Sequence, residues 1–413
     1  MHIVYLTHQF LPRHVGGVEV YTLGLARGAR EAGHRVTVIT YHESDTGSSI
    51  DFGPHYTHYE DIPVVEIHYN LSMSPHAAQY EYNNQYIASA LQHVLPKLKP
   101  DLVHVMHAMK LSASVLNVCS ELGIPFIVTL CDYWFICPRH TLLKWDLSLC
   151  EGPTHPLYCM RCVQDLHGFA RRPHFLKDLA PIANRNRFIG TALLKARRII
   201  ALSDFQKKMH VQNGIPTERI EVIRHGLDPL SDPPAANVYD GPVRIGYIGS
   251  LVEHKGVHLL LEALAEIPDL ELTCKIYGAQ EPSAYMTRLH KLAKNDKRIE
   301  FMGTFVSSQL SEVLDGMDIL AAPFIWYENE PLVIKAALSR GIPTICNDIG
   351  SLSEMIIHEK TGWLVAEPNV KTWARAIEHA AARLPKLHMA PVKVKTIAEN
   401  INEMLSIYTQ EAG

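Results

Sequence analysis

The chain has 413 residues, of which 47% are hydrophobic and 20% charged, and its formal net charge is −4. This length predicts two or more globular domains, and the small negative charge gives no indication of nucleic-acid binding. No apolar run approaches the roughly 18 residues of a membrane-spanning helix, and the chain begins with a strand instead of the apolar core of a signal peptide. We therefore expect a cytoplasmic protein. Its 24 histidines are scattered, and we expect most of them at the surface or behind the site residues.

Strands and helices alternate over residues 1–130. Strands are predicted at 2–7, 35–40, 64–68, 101–107 and 125–130, and helices at 18–32, 81–98 and 111–122. This alternation predicts a mostly parallel sheet. Between the first strand and the first helix, Gly16 and Gly17 would let the backbone approach a ligand closely. Their spacing differs from the dinucleotide fingerprint, so a tight structural turn is an equally good interpretation.

Residues 131–167 break this alternation and hold five of the eight cysteines. Four of them have the spacing C-x12-C-x8-C-x2-C, and the last pair is typical of a metal-binding knuckle: Cys137, Cys150, Cys159 and Cys162. In a cytoplasmic chain such a cluster favours metal over disulfides. We predict a structural zinc site, because four thiolates leave no coordination position open for a substrate. Disulfides, free thiols and an iron–sulfur cluster are the alternatives.

Residues 168–198 are strongly basic. Eight positive side chains stand against one carboxylate, Asp178: Arg171, Arg172, Lys177, Arg185, Arg187, Lys195, Arg197 and Arg198. One interpretation is a patch for a pyrophosphate-bearing acceptor or for anionic lipid, which would make the protein peripheral to the inner face of the membrane. The other is a solvated helix face, which we favour. Strands follow at 199–203 and 221–223, and residues 231–242 have the composition of a linker.

A second alternating series begins at Val243 and predicts another parallel α/β domain. Its most informative part is a strand at 318–323, a polar loop at 326–330, a helix that begins at Pro331 and a strand at 342–346. The N–H groups and the dipole at the start of that helix favour an anion such as phosphate, and acidic side chains beside it could bind sugar hydroxyls. A structural loop with solvated glutamates is the alternative. An amphipathic helix is predicted at 392–409.

Three motifs occur in a fixed order: the Gly16-Gly17 pair, G-S-L-x-x-H-K-G at 249–256 and E-N-x-P-L-V-I at 328–334. Together they make the chain resemble the retaining nucleotide-sugar glycosyltransferases of family four (glycosyl transferases group 1). The resemblance implies the GT-B fold, in which two Rossmann-like parallel-sheet domains face each other across a cleft. Residues 1–225 would form the acceptor-side domain and 226–390 the nucleotide-sugar-binding domain. Residues 391–413 would form a helix that crosses back to the first domain.

The resemblance also implies a role for particular residues. The donor would be a UDP- or GDP-sugar and the acceptor a saccharide or lipid-linked molecule. Lys255 would pair with the diphosphate, Glu328 would bind the hydroxyls of the transferred sugar, and Asp132 would join Glu328 in catalysis. No metal cofactor is required for catalysis, since a lysine and a helix dipole replace the cation. The donor-binding set is Gly16, Gly17, Gly249, Ser250, Lys255, Asn329, Pro331, Leu332 and Val333.

Three positions depart from the family pattern. Ala336 stands where a second glutamate usually binds the ribose, Cys131 stands where the pattern T-x-H-D has histidine, and Ser250 replaces a frequent basic residue. We predict a retaining transferase that moves a hexose-type sugar in glycan or polysaccharide biosynthesis. The alternative is a catalytically weakened homologue that binds a partner or a glycan. A two-domain NAD oxidoreductase is disfavoured, because no G-x-G-x-x-G follows the first strand of either domain.

Overall fold

The computed structural model describes residues 1–43, 53–70, 77–153, 155–167, 175–231, 239, 241–387 and 389–413. The chain divides into two compact units. The first unit combines Met1–Gly226 with Ile397–Gly413, and the second is Leu227–Thr396. Each unit is built on a parallel sheet with helices between its strands, as the alternating sequence pattern predicts.

The first unit contains an eight-stranded sheet in the order β3-β4-β2-β1-β5-β6-β7-β8. Its pairs are parallel except for the antiparallel hairpin of β3 and β4. The strands are β1 (His2–Thr7), β2 (Arg35–Glu43), β3 (Gly53–Tyr59), β4 (Ile62–Tyr69), β5 (Leu102–Val105), β6 (Phe126–Leu130), β7 (Arg198–Ala201) and β8 (Ile220–Val222).

Helices cover both faces of this sheet. They are α1 (Gly17–Glu31), α2 (Ala77–Tyr80), α3 (Gln85–Leu98), α4 (Ser114–Glu121), α5 (Pro156–His167), α6 (Phe175–Leu193), α7 (Asp204–Gln212) and the C-terminal α14 (Ile397–Ala412). Because side chains alternate along a strand, β1 contributes to both cores. Ile3 and Tyr5 pack with α1 and α14, whereas Val4 and Leu6 pack with α3 and α4.

The C-terminal helix α14 lies close against α1. A Cβ atom on Gly28 would stand 2.1 Å from Cδ1 of Ile401, so the two helices can approach this closely only because Gly28 has no side chain. The Tyr21 hydroxyl donates to Oδ1 of Asn400 at 2.8 Å. The last residues of the chain therefore complete the core of the first unit.

The second unit contains a six-stranded parallel sheet in the order β11-β10-β9-β12-β13-β14. The strands are β9 (Val243–Ile248), β10 (Leu272–Tyr277), β11 (Ile299–Gly303), β12 (Ile319–Ala322), β13 (Thr344–Asn347) and β14 (Gly362–Val365). The helices are α8 (Val257–Ala265), α9 (Ala284–Ala293), α10 (Leu310–Asp315), α11 (Leu332–Ser339), α12 (Leu352–Met355) and α13 (Val370–Arg383).

Both sheets have a topological switch point, where successive strands begin to be added on the other side of a central strand. In the first sheet this point lies between β1 and β5, and in the second between β9 and β12. Ligands of open α/β sheets bind outside the carboxyl ends of the strands at such a point. The fold therefore marks one candidate site in each unit.

The sequence predictions miss three features of the fold. The segment 41–80, expected to be irregular apart from one strand, contains the hairpin of β3 and β4. Residues 156–167, within the predicted insertion, form helix α5. The helix expected to begin at Pro331 begins at Leu332, with Pro331 as its extended N-cap. Most of the predicted linker at 231–242 lies outside the described residues.

His104 links the stability of the first unit to pH. It is fully buried in β5, with Nδ1 2.7 Å from the Tyr408 hydroxyl and Nε2 2.8 Å from Oγ1 of Thr129. Burial lowers the pKa of His104 from 6.5 to about 3. Below pH 6.5 the unfolded chain therefore takes up a proton at this histidine that the folded chain does not, and stability falls as the pH falls.

We expect His104 to remove about 2 kcal/mol of unfolding free energy when the pH drops from about 7.5 to about 5. A His104→Gln variant, which keeps polar atoms in the same place, should lose about that much less stability over the same interval. Urea denaturation of both proteins at both pH values measures the difference. The exposed His58→Gln variant is the control. An equal loss in wild type and His104→Gln would show that His104 does not cause the effect.

Candidate sites at the switch points of the two sheets

The candidate site of the second unit is formed by the loops that follow β9 and β12. The two loops touch at Gly256, which has φ +71° and whose Cβ would lie 1.9 Å from the Pro323 carbonyl oxygen. No other residue fits at that position, because both the left-handed backbone and the close approach require glycine. The Ile325 N–H also donates to the His254 carbonyl at 3.1 Å. The G-S-L-x-x-H-K-G motif is therefore fixed against the loop that carries Glu328.

Two of the predicted site residues, Lys255 and Glu328, form an ion pair in these loops. The Lys255 ammonium contacts Oε1 of Glu328, and it lies 4.8 Å from the ring centre of Phe324 and 5.1 Å from that of Trp326. The indole N–H of Trp326 donates to the same carboxylate oxygen at 2.8 Å. The two side chains are 20% and 8% exposed. A pair this well shielded from water is stronger than a surface ion pair.

Buried polar side chains hold the backbone of this loop in place. The Ser351 hydroxyl donates to the Glu328 carbonyl at 2.6 Å, and the Asn347 amide donates to the Phe324 carbonyl at 2.8 Å. Asn347 is itself oriented by the indole N–H of Trp373, 2.6 Å from Oδ1. Because these partners are buried, the position of Glu328 is set by the sheet beneath it.

Helix α11 begins directly after this loop. The N–H groups of Leu332 and Val333, the first two residues of the helix, have no partner within it, and its dipole favours an anion at this end. Lys335 pairs with Glu330 at 2.6 Å, and both side chains are almost completely buried. Ala336 is fully buried. The position of the family's second glutamate therefore holds a methyl group in the core.

The remaining predicted donor-binding residues of this unit lie in the same two loops. Gly249 and Ser250 follow β9, and the Tyr247 hydroxyl donates to the Ser250 carbonyl at 2.9 Å. Asn329 is buried beside Glu328. The structure thus brings together the residues of both motifs that the sequence analysis selected in this unit.

The candidate site of the first unit centres on Asp132, which follows β6. Its Oδ2 lies 2.8 Å from Nε2 of His107 and 3.6 Å from Nδ1 of His140, and its Oδ1 accepts the Trp134 N–H at 2.8 Å. Burial alone would raise the pKa of Asp132, but His107, His140 and the Trp134 N–H together outweigh it and hold the pKa below its usual value. Asp132 is therefore ionised at neutral pH.

A hydrogen bond fixes the tautomer of His107. The backbone N–H of Met109 donates to Nδ1 of His107 at 3.1 Å, so the proton of the neutral ring is on Nε2 and is donated to Asp132. Both ring nitrogens are occupied in this arrangement. His107 therefore positions Asp132 and is not available as a free base.

His8 and Glu19 extend this cluster. The His8 ring lies 4.2 Å from the His107 ring, and its Nε2 is 3.7 Å from Oε1 of Glu19. Burial, together with the neighbouring His107 and Lys110, holds the pKa of His8 well below its usual value, so the ring is neutral. Burial raises the pKa of Glu19.

Gly16 and Gly17, in the first loop, have different roles. A Cβ on Gly16 would lie 2.6 Å from Oε2 of Glu19, whereas Gly17 has open space around it. Only Gly16 is therefore required for the close approach of the loop to the cluster. Cys131, beside Asp132, has a pKa well above the usual value because it is buried near Asp132 and Glu19. It is a neutral thiol and does not replace the chemistry of a histidine.

Sequence reasoning selected Asp132 but missed His8, His107, His140 and Glu19. His8 directly follows β1 and His107 lies two residues after the end of β5, and that position is the signal that could have revealed them. The sequence analysis expected most histidines at the surface or behind the site residues. Among the described residues, six are buried: His2, His8, His104, His107, His210 and His225.

The basic segment is only partly the surface patch that its composition predicts. Arg171 and Arg172 lie outside the described residues, as does the side chain of Lys177. The inclusion of Arg185 was wrong, since its guanidinium is buried and pairs with Glu81 at 2.8 Å. Arg198 pairs with Glu221 and Glu411 at 2.7 and 2.6 Å. Within the described part of the chain, no helix has the length and apolar character to cross a bilayer.

All eight cysteines lie within the described residues and carry free thiols. Among the described residues, one trio of potential metal ligands has its ligand atoms within 4.8 Å of one another, namely His42, Glu66 and His68. Arg13 donates to Nδ1 of His42 and to Oε1 of Glu66, both at 2.8 Å. A permanent cation already neutralises this trio, so it is a poor site for a metal ion.

Two protein-family models match the chain. Glycosyltransferase Family 4 matches residues 15–229, and Glycosyl transferases group 1 matches residues 231–390. The chain belongs to glycosyltransferase family 4. This confirms the part of the resemblance that assigns the chain to the group 1 glycosyltransferases.

Relatives and solved structures agree with this membership. A 42.6 kDa protein of the cps region of Klebsiella pneumoniae is 23% identical over 365 residues, covering 86% of this chain and 87% of that protein. The putative colanic acid biosynthesis glycosyltransferase WcaL of Escherichia coli K12 is 25% identical over 211 residues, covering 49% of this chain and 52% of that protein. Anabaena HepE, solved with UDP and with UDP-glucose, is 19% identical with a TM-score of 0.63, covering 100% of this chain and 95% of that one. The fold of this transferase family member is GT-B.

Replacing Ser351 by alanine tests how the Glu328 loop is held. The change leaves the buried Glu328 carbonyl without its donor, which costs about 1 kcal/mol. We expect amide hydrogen exchange of residues 326–330 to rise about fivefold. Ser353 lies two residues further on, in α12, and its hydroxyl donates to the exposed Asp348, so Ser353→Ala is the matched control. If both variants exchange like wild type, the Ser351 hydroxyl does not hold the loop.

Proposed function

We propose that this protein is an active, retaining glycosyltransferase that moves a hexose-type sugar from UDP- or GDP-sugar to a saccharide or lipid-linked acceptor in polysaccharide biosynthesis. The observation that carries the proposal is the shielded pair of Lys255 and Glu328 beside the N-terminus of α11. The names of relatives support the product class, since WcaL is described as a colanic acid enzyme. The HepE complexes with UDP and UDP-glucose support a nucleotide-sugar donor.

The donor diphosphate would bind where the positive charges of the second unit converge. Lys255 supplies a full charge, and the first-turn N–H groups of Leu332 and Val333 supply hydrogen bonds along the helix dipole. A charge-assisted contact of this kind contributes about 1.5–3 kcal/mol. The backbone at Gly249 and Ser250 would line the same pocket. These groups can stabilise a diphosphate leaving group without a metal ion.

Glu328 would bind hydroxyls of the transferred sugar. One of its oxygens contacts Lys255 and Trp326, and a carboxylate offers further lone pairs on the other. The same lysine would contact both the sugar-binding carboxylate and the diphosphate, so binding of the two parts of the donor would be coupled. Asn329 would lie in the same loop.

The chemistry of Asp132 fits orientation of an acceptor hydroxyl better than deprotonation. Its pKa lies below the usual value, so it is a weak base but a good hydrogen-bond acceptor. In a front-face reaction the departing phosphate oxygen takes the proton of the attacking hydroxyl, and the new glycosidic bond forms on the side from which the leaving group departs. Asp132, held by His107, would align that hydroxyl.

The catalytically weakened homologue is the second candidate, and Ala336 is the observation in its favour. The buried methyl removes one carboxylate from the nucleotide site, and Glu330 is already paired with Lys335. The replacement of glutamate by Ala336 would lower affinity for the ribose and leave the contacts to the transferred sugar and the diphosphate in place. The loop keeps Lys255 and Glu328 together, and we therefore favour the active enzyme.

Removing the Lys255 charge should weaken donor binding at least tenfold, a loss of about 1.4 kcal/mol or more, because the diphosphate loses its charged partner. The measurement is calorimetric titration of wild type and Lys255→Ala with UDP, GDP and their sugars. The exposed Lys291→Ala variant in α9 removes an equal charge elsewhere in the unit. Micromolar binding that is lost only in Lys255→Ala supports the site, and the nucleotide that binds identifies the nucleobase of the donor. Unchanged affinity in Lys255→Ala would refute its role, and a wild type that binds no nucleotide would favour the weakened homologue.

Asp132→Asn should lower kcat at least about 100-fold while donor affinity stays within about twofold, since the acceptor hydroxyl loses an ionised partner. His107→Gln should have a smaller effect of the same kind, because glutamine can still donate to Asp132. Steady-state kinetics with the donor identified by calorimetry gives both quantities. Equal kcat in Asp132→Asn and wild type would exclude Asp132 from catalysis.

A further inference from the structure

The four cysteines of the insertion belong to segments that hydrogen bonds connect. The Cys150 N–H donates to the Leu142 carbonyl at 2.8 Å, and the Leu142 N–H donates to the Cys137 sulfur. Leu142 thus connects the first two cysteines. Cys159 and Cys162 lie on α5 with the i, i+3 spacing that places side chains on one face of a helix.

Helix α5 is attached to the same loop. The Arg139 guanidinium donates to the Cys162 carbonyl at 3.2 Å, and the Trp145 N–H donates to the Cys162 sulfur. The Arg161 guanidinium lies 3.4 Å from the centre of the Trp145 ring. These contacts hold the helix that carries Cys159 and Cys162 against the loop that carries Cys137 and Cys150.

Backbone N–H groups point at three of the four sulfurs. Cys137 accepts from Arg139 and Leu142, and Cys150 accepts from Gly152 at 3.4 Å. The positive φ of Gly152, +126°, belongs to the turn that brings its N–H back to Cys150. In both turns the donor lies two residues after the cysteine. Thiols are weak acceptors, whereas such N–H groups stabilise the thiolates of metal sites.

The Cys150 sulfur also lies near enough to Cys137, Cys159 and Cys162 to interact electrostatically with each of them.

We propose that Cys137, Cys150, Cys159 and Cys162 bind one zinc ion as a closed, structural four-thiolate site. In a tetrahedral site with Zn–S bonds of about 2.3 Å the sulfurs are about 3.8 Å apart. No three of these sulfurs lie within 4.8 Å of one another in the described chain, so binding of the ion would require the sulfurs to move closer together. Each thiol loses its proton to solvent on ligation.

This zinc site would support the cluster around Asp132. The turn that begins at Cys137 ends at His140, whose N–H donates to the Cys137 carbonyl at 2.9 Å. The His140 carbonyl accepts the Tyr133 N–H at 3.1 Å, and its ring lies 3.6 Å from Asp132. An ion that fixes Cys137 would therefore fix the segment that faces Asp132.

Elemental analysis of the untagged, purified chain tests the proposal. We expect about one zinc per chain, with X-ray absorption at the zinc edge showing about four sulfur neighbours near 2.3 Å. Cys159→Ser and Cys162→Ser should lose the metal, whereas Cys131→Ala, which changes the one cysteine of the insertion outside the set, should retain it. Titration of the wild-type chain with a mercurial should release the zinc as about four thiols react.

Three results would overturn the proposal. They are zinc bound through nitrogen or oxygen neighbours, iron with the absorption of an iron–sulfur cluster, and a chain without metal. Mass spectrometry after alkylation would assign the last case to free thiols or to disulfides. The mercurial titration uses only wild-type protein, so it decides the question even where a serine variant fails to fold. It does not depend on activity, and its outcome is independent of the proposed transfer reaction.

Discussion

The ion pair of Lys255 and Glu328 is the interaction on which the second unit's site depends. Its two partners come from loops that are far apart in sequence, and they meet because Gly256 lets one loop lie directly on the other. Aromatic rings shield the pair, which strengthens the attraction. Ser351 and Asn347 then hold the backbone from below. The charge of the lysine, the carboxylate and the start of α11 thus occupy fixed positions before a ligand arrives, which is what electrostatic preorganisation requires.

The two sheets share one topological feature, but the candidate sites beside it contain different functional groups. Each sheet reverses the direction of strand addition beside its central strand, and in each the functional side chains follow the strands at that point. In the second unit they place Lys255 and Glu328 near the start of α11. In the first unit they place an ionised carboxylate beside imidazoles. The difference between the two sites fits the roles that we propose for them in binding the donor and the acceptor.

Features that depend on neighbouring residues can be predicted from the sequence, whereas contacts that depend on the order of strands in the sheet cannot. Most strands of both sheets are predictable, since buried parallel strands are short apolar runs between helices. Lys255 and Glu328 are predictable because their motifs are contiguous. His107 is harder to identify: the sequence shows only that it follows a strand, and its importance arises from β5 lying between β1 and β6. The prediction that Arg185 belongs to a surface patch was wrong for a similar reason. Its charge is evident from composition, but its burial depends on pairing with Glu81, which is distant in sequence.

The position of α14 has a consequence for how the chain is made. A ribosome synthesises the second unit completely before it reaches Ile397, yet α14 supplies Met404, Ile407 and Tyr408 to the core of the first unit. The growing chain therefore carries an uncovered apolar face on α1 and the first sheet during the synthesis of everything between. The second unit, whose strands are contiguous in sequence, is able to fold first.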